Sequence, residues 1–268
     1  MTHAPRPTRF AGESWRTASA MHARVVGAVI MRDLQTRFGA GYFGFLLGLI
    51  MPLGHLGIAL VILTGIGRVA PIGSSISLFA MTGVLPFIIW LYCHRQILAT
   101  HQQNSPLLYF PGVDIFDLYT ARTAIEIVSA TLVVTVVLST LFFIGFNIRP
   151  ESPFGFVLGL IQAWLLGIGT GLAFGSVAKL WPPFSIVGSL LGPLFWVTSG
   201  VVYIPDTAPE QVRNFLFYLP LCQIVDGLRT QFFPAYESSF YNQNIPVIFI
   251  LSIITIGLCF VYIIRKLT

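Results

Sequence analysis

The sequence predicts an all-α polytopic membrane protein: six transmembrane helices, an amino-terminal interfacial amphipathic helix, and a re-entrant helical segment before the last span. Three observations predict it. Six uncharged runs, at 38–67, 69–94, 127–148, 154–178, 181–204 and 242–264, each reach the roughly 20 residues that a spanning helix requires. The composition is 55% hydrophobic and only 9% charged, with a mean hydropathy of +0.81, whereas a soluble domain carries about 25% charge. Basic residues are placed asymmetrically. Arg6, Arg9, Arg16, Arg24, Arg32 and Arg37 precede the first run, Arg265 and Lys266 follow the last, and Arg95, Arg122 and Lys179 fall in same-side connections, against Arg68, Arg149, Arg213 and Arg229 on the other side. Both termini are therefore expected in the cytoplasm.

Residues 1–41 are expected to form a cytoplasmic arm and interfacial helix, and 42–268 a single membrane domain. Within the arm, Val25, Val26, Val29, Ile30 and Leu34 recur at helical spacing among Arg24, Arg32, Asp33 and Arg37, the pattern of a helix lying in a membrane surface. A solvated arm with incidental apolar residues is the alternative. The first span contains Pro52 and His55, and no second ionisable group accompanies the histidine, which reads as a packing residue. The second contains Pro86 and ends in Trp90, Tyr92, His94 and Arg95, an interfacial mixture. A polar cytoplasmic loop, 100–117, follows, with turn signals at Ser105, Pro106, Pro111 and Gly112.

Asp117 is placed to cap the third span, and Arg122 and Glu126 share one helical face, where they can neutralise each other. In the fourth span, Gly167, Gly171 and Gly175 put a smooth stripe on one face, which marks a packing helix. The fifth begins after Pro182 and Pro183, contains Pro193, and is expected to end irregularly at Ser199-Gly200. Residues 206–241 fit neither a plain loop nor a full span. A re-entrant pair of short helices would place Phe215, Phe217 and Tyr218 in lipid or a pore and the charges Arg213, Asp226 and Arg229 at water; a lipid-facing amphipathic loop is the alternative.

The sequence holds no Gly-Lys-Ser/Thr phosphate-binding turn, since its only lysines follow Ala178 and Arg265. His94 and His101 do not form a zinc-binding helix motif, Ser199 lacks a nucleophile-elbow pattern, and Asp114 with Asp117 has a capping explanation. Cys93, Cys222 and Cys259 give neither a disulfide framework nor a metal cluster and read as apolar filler. No cofactor is expected. The basic balance, with a pI near 9.3, reflects membrane topology and not nucleic-acid binding. Scattered charges form no continuous proton relay, which weighs against an ion-coupled carrier.

Four landmarks carry a family resemblance. They are RDLQTRFG at 32–39, Pro52 with His55, QNSPLLYFPGVD at 103–114, and the block from SGVVYIPDTAP through LPLCQIVDGLR at 199–229. In these the chain resembles the membrane subunits of ABC-2 type exporters, most closely the capsular-polysaccharide permeases, and then the related O-antigen permeases. It departs from the family pattern at Met51, where an acidic residue is common, and at Leu219, Gln223 and Asp226, where Asn, His and Glu are usual; Arg229 keeps the family's arginine.

The resemblance implies an ABC-2 type transmembrane domain over 42–268 that acts as a homodimer in a Gram-negative inner membrane. It has no ATPase site of its own and is driven by two copies of a separate ATPase subunit. Its substrate would be a lipid-linked polysaccharide, with periplasmic and outer-membrane export proteins as further partners. O-antigen or teichoic-acid-type glycans are the alternative cargo. On that reading Arg32, Arg37, His101, Gln103, Asn104 and Tyr109 contact the ATPase. Sugar rings present apolar C–H faces, so Tyr42, Phe45, Phe195, Trp196 and Tyr203, with Phe215 and Tyr218 near the exit, are candidate channel-lining residues, each with lipid-facing packing as its alternative. Arg213 and Arg229 meet acidic sugars or pair with Asp226.

Overall fold

Residues 15–38, 42–65, 70–73 and 75–267 are described by a computed structural model, with the side chains of 15, 36–38, 42–49, 51–52 and 267 excepted. Every regular element among them is helical. The elements are α1 (Trp15–Phe38), α2 (Tyr42–Gly65), α3 (Ile76–Asn104), α4 (Ile115–Phe143), α5 (Pro153–Leu180), α6 (Phe184–Thr198), α7 (Glu210–Phe217), α8 (Pro220–Phe232) and α9 (Asn244–Leu267). A 3-10 turn, Ser105–Tyr109, closes α3, and a second, Pro205–Thr207, precedes α7. Among the described residues four helices are long and apolar enough to cross a membrane: Ile76–Tyr109, with its terminal 3-10 turn, Ile115–Phe143, Pro153–Leu180 and Asn244–Lys266.

Helix ends depart from the uncharged runs where charge is buried inside the protein. The third uncharged run begins at 127, but its helix, expected to be capped by Asp117, begins at Ile115, because Asp114 and Asp117 close a reciprocal capping box: the Asp114 side chain accepts from the Phe116 N–H at 3.1 Å, and the Asp117 side chain accepts from the Asp114 N–H at 2.8 Å. The cap is thus Asp114, with Asp117 as its partner three residues on. The expected loop from 100 is still α3 as far as Asn104. The fifth run shrinks most. Its helix, α6, has 15 residues and ends where Gly200 adopts φ +75°. At 1.5 Å per residue it covers about 22 Å, less than the roughly 30 Å hydrocarbon core.

Packing centres on α5. A methyl at Gly167 would sit 2.7 Å from Cβ of Cys93; one at Gly171 would sit 2.6 Å from Cβ of Ile97 and 3.0 Å from the His94 carbonyl oxygen; one at Gly175 would sit 3.0 Å from the Leu98 carbonyl oxygen. The glycine stripe therefore presses α5 directly onto the backbone of α3, as its four-residue spacing predicts. The other face does the same to α9, where a methyl on Gly257 would lie 2.7 Å from Cβ of Leu172 and 3.1 Å from the Ala173 amide nitrogen. In this order α3, α5 and α9 run parallel, and α4 and α6 run back. His55 packs edge-on to Tyr92, with centroids 5.9 Å apart and a 3.3 Å contact to the Tyr92 hydroxyl. Cys93 and Cys222 are buried filler, but Cys259 is exposed on α9, and Cys222 lies in α8 instead of a loop.

Candidate functional site

The bundle has two chemically different ends. At one, α1 meets the end of α3 and the start of α4. Val25, Val26, Val29 and Ile30, expected to face lipid, pack instead against a cluster that includes Ile97, Ile115 and Leu118. Burial against protein satisfies the same apolar periodicity.

That contact brings a polar cluster under cover. Arg122, 5% exposed, reaches the carboxylate of Asp33, 3% exposed, at 3.3 Å, and its other terminal nitrogen donates to Gln103 Oε1 at 3.0 Å. Arg32 donates to Asp33 at 2.7 Å and also to Asn104 Oδ1. Three elements are thereby cross-linked through charge. Arg265, in the last turn of α9, joins them by a 2.6 Å ion pair to Asp114. Beyond the cluster the 3-10 turn projects outward, with Tyr109 84% and Phe110 62% exposed.

Of the six residues expected to meet an ATPase, Arg32, Gln103 and Asn104 fall in this cluster, His101 is buried beside it and Tyr109 is at the exposed tip. Arg37 lies outside the described side chains. Asp33 and Arg122 complete the cluster and were not among the expected set. The available signal was Arg122 itself, the one basic residue of α4. Arg122→Gln is expected to lower the unfolding free energy by about 3 kcal/mol, because it withdraws a buried cation from a buried carboxylate. Denaturant titration of the detergent-solubilised protein reads this, and an unchanged midpoint would show that the cluster contributes nothing.

At the other end, α8 presents Gln223, Asp226 and Arg229 on one face, all fully buried. Each fastens a different piece of irregular chain. Gln223 donates to the Phe217 and Phe240 carbonyls at 2.9 and 3.2 Å and accepts from the Asn242 N–H at 2.7 Å. Asp226 accepts from the hydroxyls of Tyr236, at 2.8 Å, and Ser238. Arg229 donates to the Tyr203 and Val201 carbonyls, both at 2.9 Å, and lies 4.0 Å above the Phe79 ring. Burial raises the Asp226 carboxyl above its ordinary value, opposed by the two hydroxyl donors and by Arg229. Burial lowers Arg229 to about 10, opposed chiefly by Asp226, so it stays cationic at neutral pH.

The expected pair of short helices is present as α7 and α8. Of the charges placed at water, Arg213 is half-buried at the surface, but Asp226 and Arg229 are internal, because the backbone carbonyls and hydroxyls of the turns around them replace solvent. Arg229 is therefore closed to a passing sugar. Of the channel candidates, Phe195 stacks edge-on against Trp90 at 5.0 Å, Trp196 is partly buried against the core, and Tyr203 lends its carbonyl to Arg229. Phe215 and Tyr218 are 63% and 73% exposed on α7 and its cap. Tyr42 and Phe45 lie outside the described side chains.

No protein-family model matches the chain. Curated relatives align over most of it. The capsule polysaccharide export inner-membrane protein CtrC of Neisseria meningitidis serogroup A is 28% identical over 223 residues, covering 81% of this chain and 84% of the relative. The polysialic acid transport protein KpsM of Escherichia coli is 28% identical over 238 residues, covering 87% and 90%. The capsule polysaccharide export inner-membrane protein BexB of Haemophilus influenzae is 23% identical over 252 residues, covering 92% and 94%.

Proposed function

We infer that this chain is the membrane-spanning permease subunit of a capsule polysaccharide exporter in an inner membrane. The observation that carries the reading is homology over most of the chain to proteins named for that task in three bacteria. The sequence adds a physical reason for a subunit role: it contains no phosphate-binding turn with which to use ATP. The energy then comes from a separate ATPase.

On this reading the α1 end faces the cytoplasm and carries both termini, and the α8 end faces outward. The exposed Tyr109–Phe110 tip and the cluster behind it supply a docking face joined to three helices, so movement of a bound ATPase would be felt in α3 and α4 together. Arg32, Arg37, His101, Gln103, Asn104 and Tyr109 remain the proposed coupling residues. Six spans follow if α2, which is 24 residues long and uncharged, and the short α6 also cross. The short length of α6 is made up by the 199–205 turn and the re-entrant α7–α8 pair above it, and the assembly is a homodimer. Its channel would be lined by the aromatic candidates Tyr42, Phe45, Phe195, Trp196, Tyr203, Phe215 and Tyr218.

Purification of the tagged chain from native membranes tests the subunit role. A P-loop ATPase is expected to co-purify, and vesicles reconstituted with both proteins and ATP are expected to take up the polymer, whereas vesicles holding the chain alone take up none. Uptake by the chain alone would overturn the reading.

A further inference from the structure

Beside the α8 latch, α7 and the segment before α9 enclose a cleft of about 560 Å³. Its floor is fixed from below. Asp206 accepts from the Ser239 hydroxyl at 2.9 Å and from the Ser239 N–H at 3.1 Å, which ties the turn before α7 to the segment after α8. Phe217 packs edge-on against both Phe240, at 5.7 Å, and Tyr218, at 5.6 Å. The rings are held, and the Tyr218 ring is still 73% exposed. On the same wall stand Arg213, half-buried, and Asn214, exposed. Among the described residues no carboxylate is in ion-pair contact with Arg213.

We propose that this cleft is a saccharide subsite that takes a carboxylate-bearing sugar unit, with Arg213 holding the carboxylate. The proposal deepens the permease reading and rests on it for the identity of the glycan. Three kinds of group meet here. An aromatic face accepts the apolar C–H side of a pyranose ring. The Asn214 amide offers a donor and an acceptor to neighbouring hydroxyls. A guanidinium with no protein carboxylate against it binds a carboxylate through paired, charge-assisted hydrogen bonds. A neutral sugar would use the first two and leave the third idle. A lipid phosphate would use the third and leave the ring face idle.

The test uses the full chain in phosphatidylcholine nanodiscs, with methyl β-D-glucuronide and methyl β-D-glucoside as probes and saturation-transfer NMR as the readout. Glucuronide is expected to bind more tightly, with saturation reaching its ring protons. Arg213→Gln should weaken the glucuronide about tenfold and bring it level with the glucoside. Tyr218→Ala should weaken both probes alike, which separates the ring's role from that of the charge. Equal binding of the two probes by the unmodified chain, absence of binding, or an unaltered preference in Arg213→Gln overturns the assignment. So does loss of glucuronide binding in phosphatidylglycerol nanodiscs, which would give the cleft to lipid headgroups. None of these readouts needs ATP or transport, so failure of the subsite and failure of the permease reading are separately visible.

Discussion

Gly171→Val is expected to yield almost no folded protein in the membrane. The added Cβ alone would stand 2.6 Å from Cβ of Ile97 and 3.0 Å from the His94 carbonyl oxygen. The second of these is helix backbone, so it has no rotamer with which to withdraw. Two branch methyls then enlarge the clash. Overpacking a tight core costs about 3 kcal/mol at the upper end of the usual range, and α3 must shift as a unit to relieve it. The matched control is Gly57→Ala, where the new methyl would have nothing within 4 Å and thus enters open space on α2. That variant is expected to accumulate normally. Fluorescence size-exclusion profiles of the two in mild detergent check the pair, and a monodisperse Gly171→Val peak of normal height would show that the α3–α5 contact is looser than the glycine stripe requires.

Arg229→Met is expected to have the second-largest effect, unfastening the turn after α6. Methionine fills much of the volume and keeps contact with Phe79, but it leaves the Val201 and Tyr203 carbonyls without their donor and removes the cation that offsets Asp226. Leaving a buried polar group unsatisfied costs about 1–3 kcal/mol for each group, so a loss of about 3 kcal/mol is expected. Arg229→Lys should recover only part of it, since a single ammonium cannot reproduce the fork that spans two carbonyls. Hydrogen exchange provides the local reading: amides of residues 199–207 should exchange faster in both variants while those of α5 stay protected. Unchanged exchange across that segment would mean the turn is held by its own hydrogen bonds and not by Arg229.

Much of the fold was legible because lipid-facing and glycine-lined helices write themselves in composition and four-residue spacing. Gly167, Gly171 and Gly175 predicted a close-packed face, and they form one. What hydropathy misread was buried charge. Arg122 was expected to neutralise Glu126 on one face of the third helix, and it also has Asp33, some ninety residues earlier in the chain, as a partner. A pairing between residues so far apart leaves no local pattern. The short helix α8 was expected, but the burial of its polar face was not: Gln223, Asp226 and Arg229 share one helical face that is enclosed by protein instead of meeting water. Arg32, Gln103 and Asn104 were singled out through the family resemblance, whereas Asp33 and Arg122, which join them to the bundle, were not, because their pairing is long-range.

The close seating of α5 against both α3 and α9 bears on how force can pass through the molecule. Glycine faces let main chains meet without intervening side chains, so Cys93 and Ile97 of α3 seat on the α5 stripe and Leu172 of α5 seats on Gly257 of α9. These three rods therefore form one closely seated layer, in which a relative displacement has to break contacts along the whole seam. The same helix, α3, carries the polar cluster at Asn104 and, past Pro86, the Phe79 ring on which Arg229 rests, so the two ends of the protein share one rod.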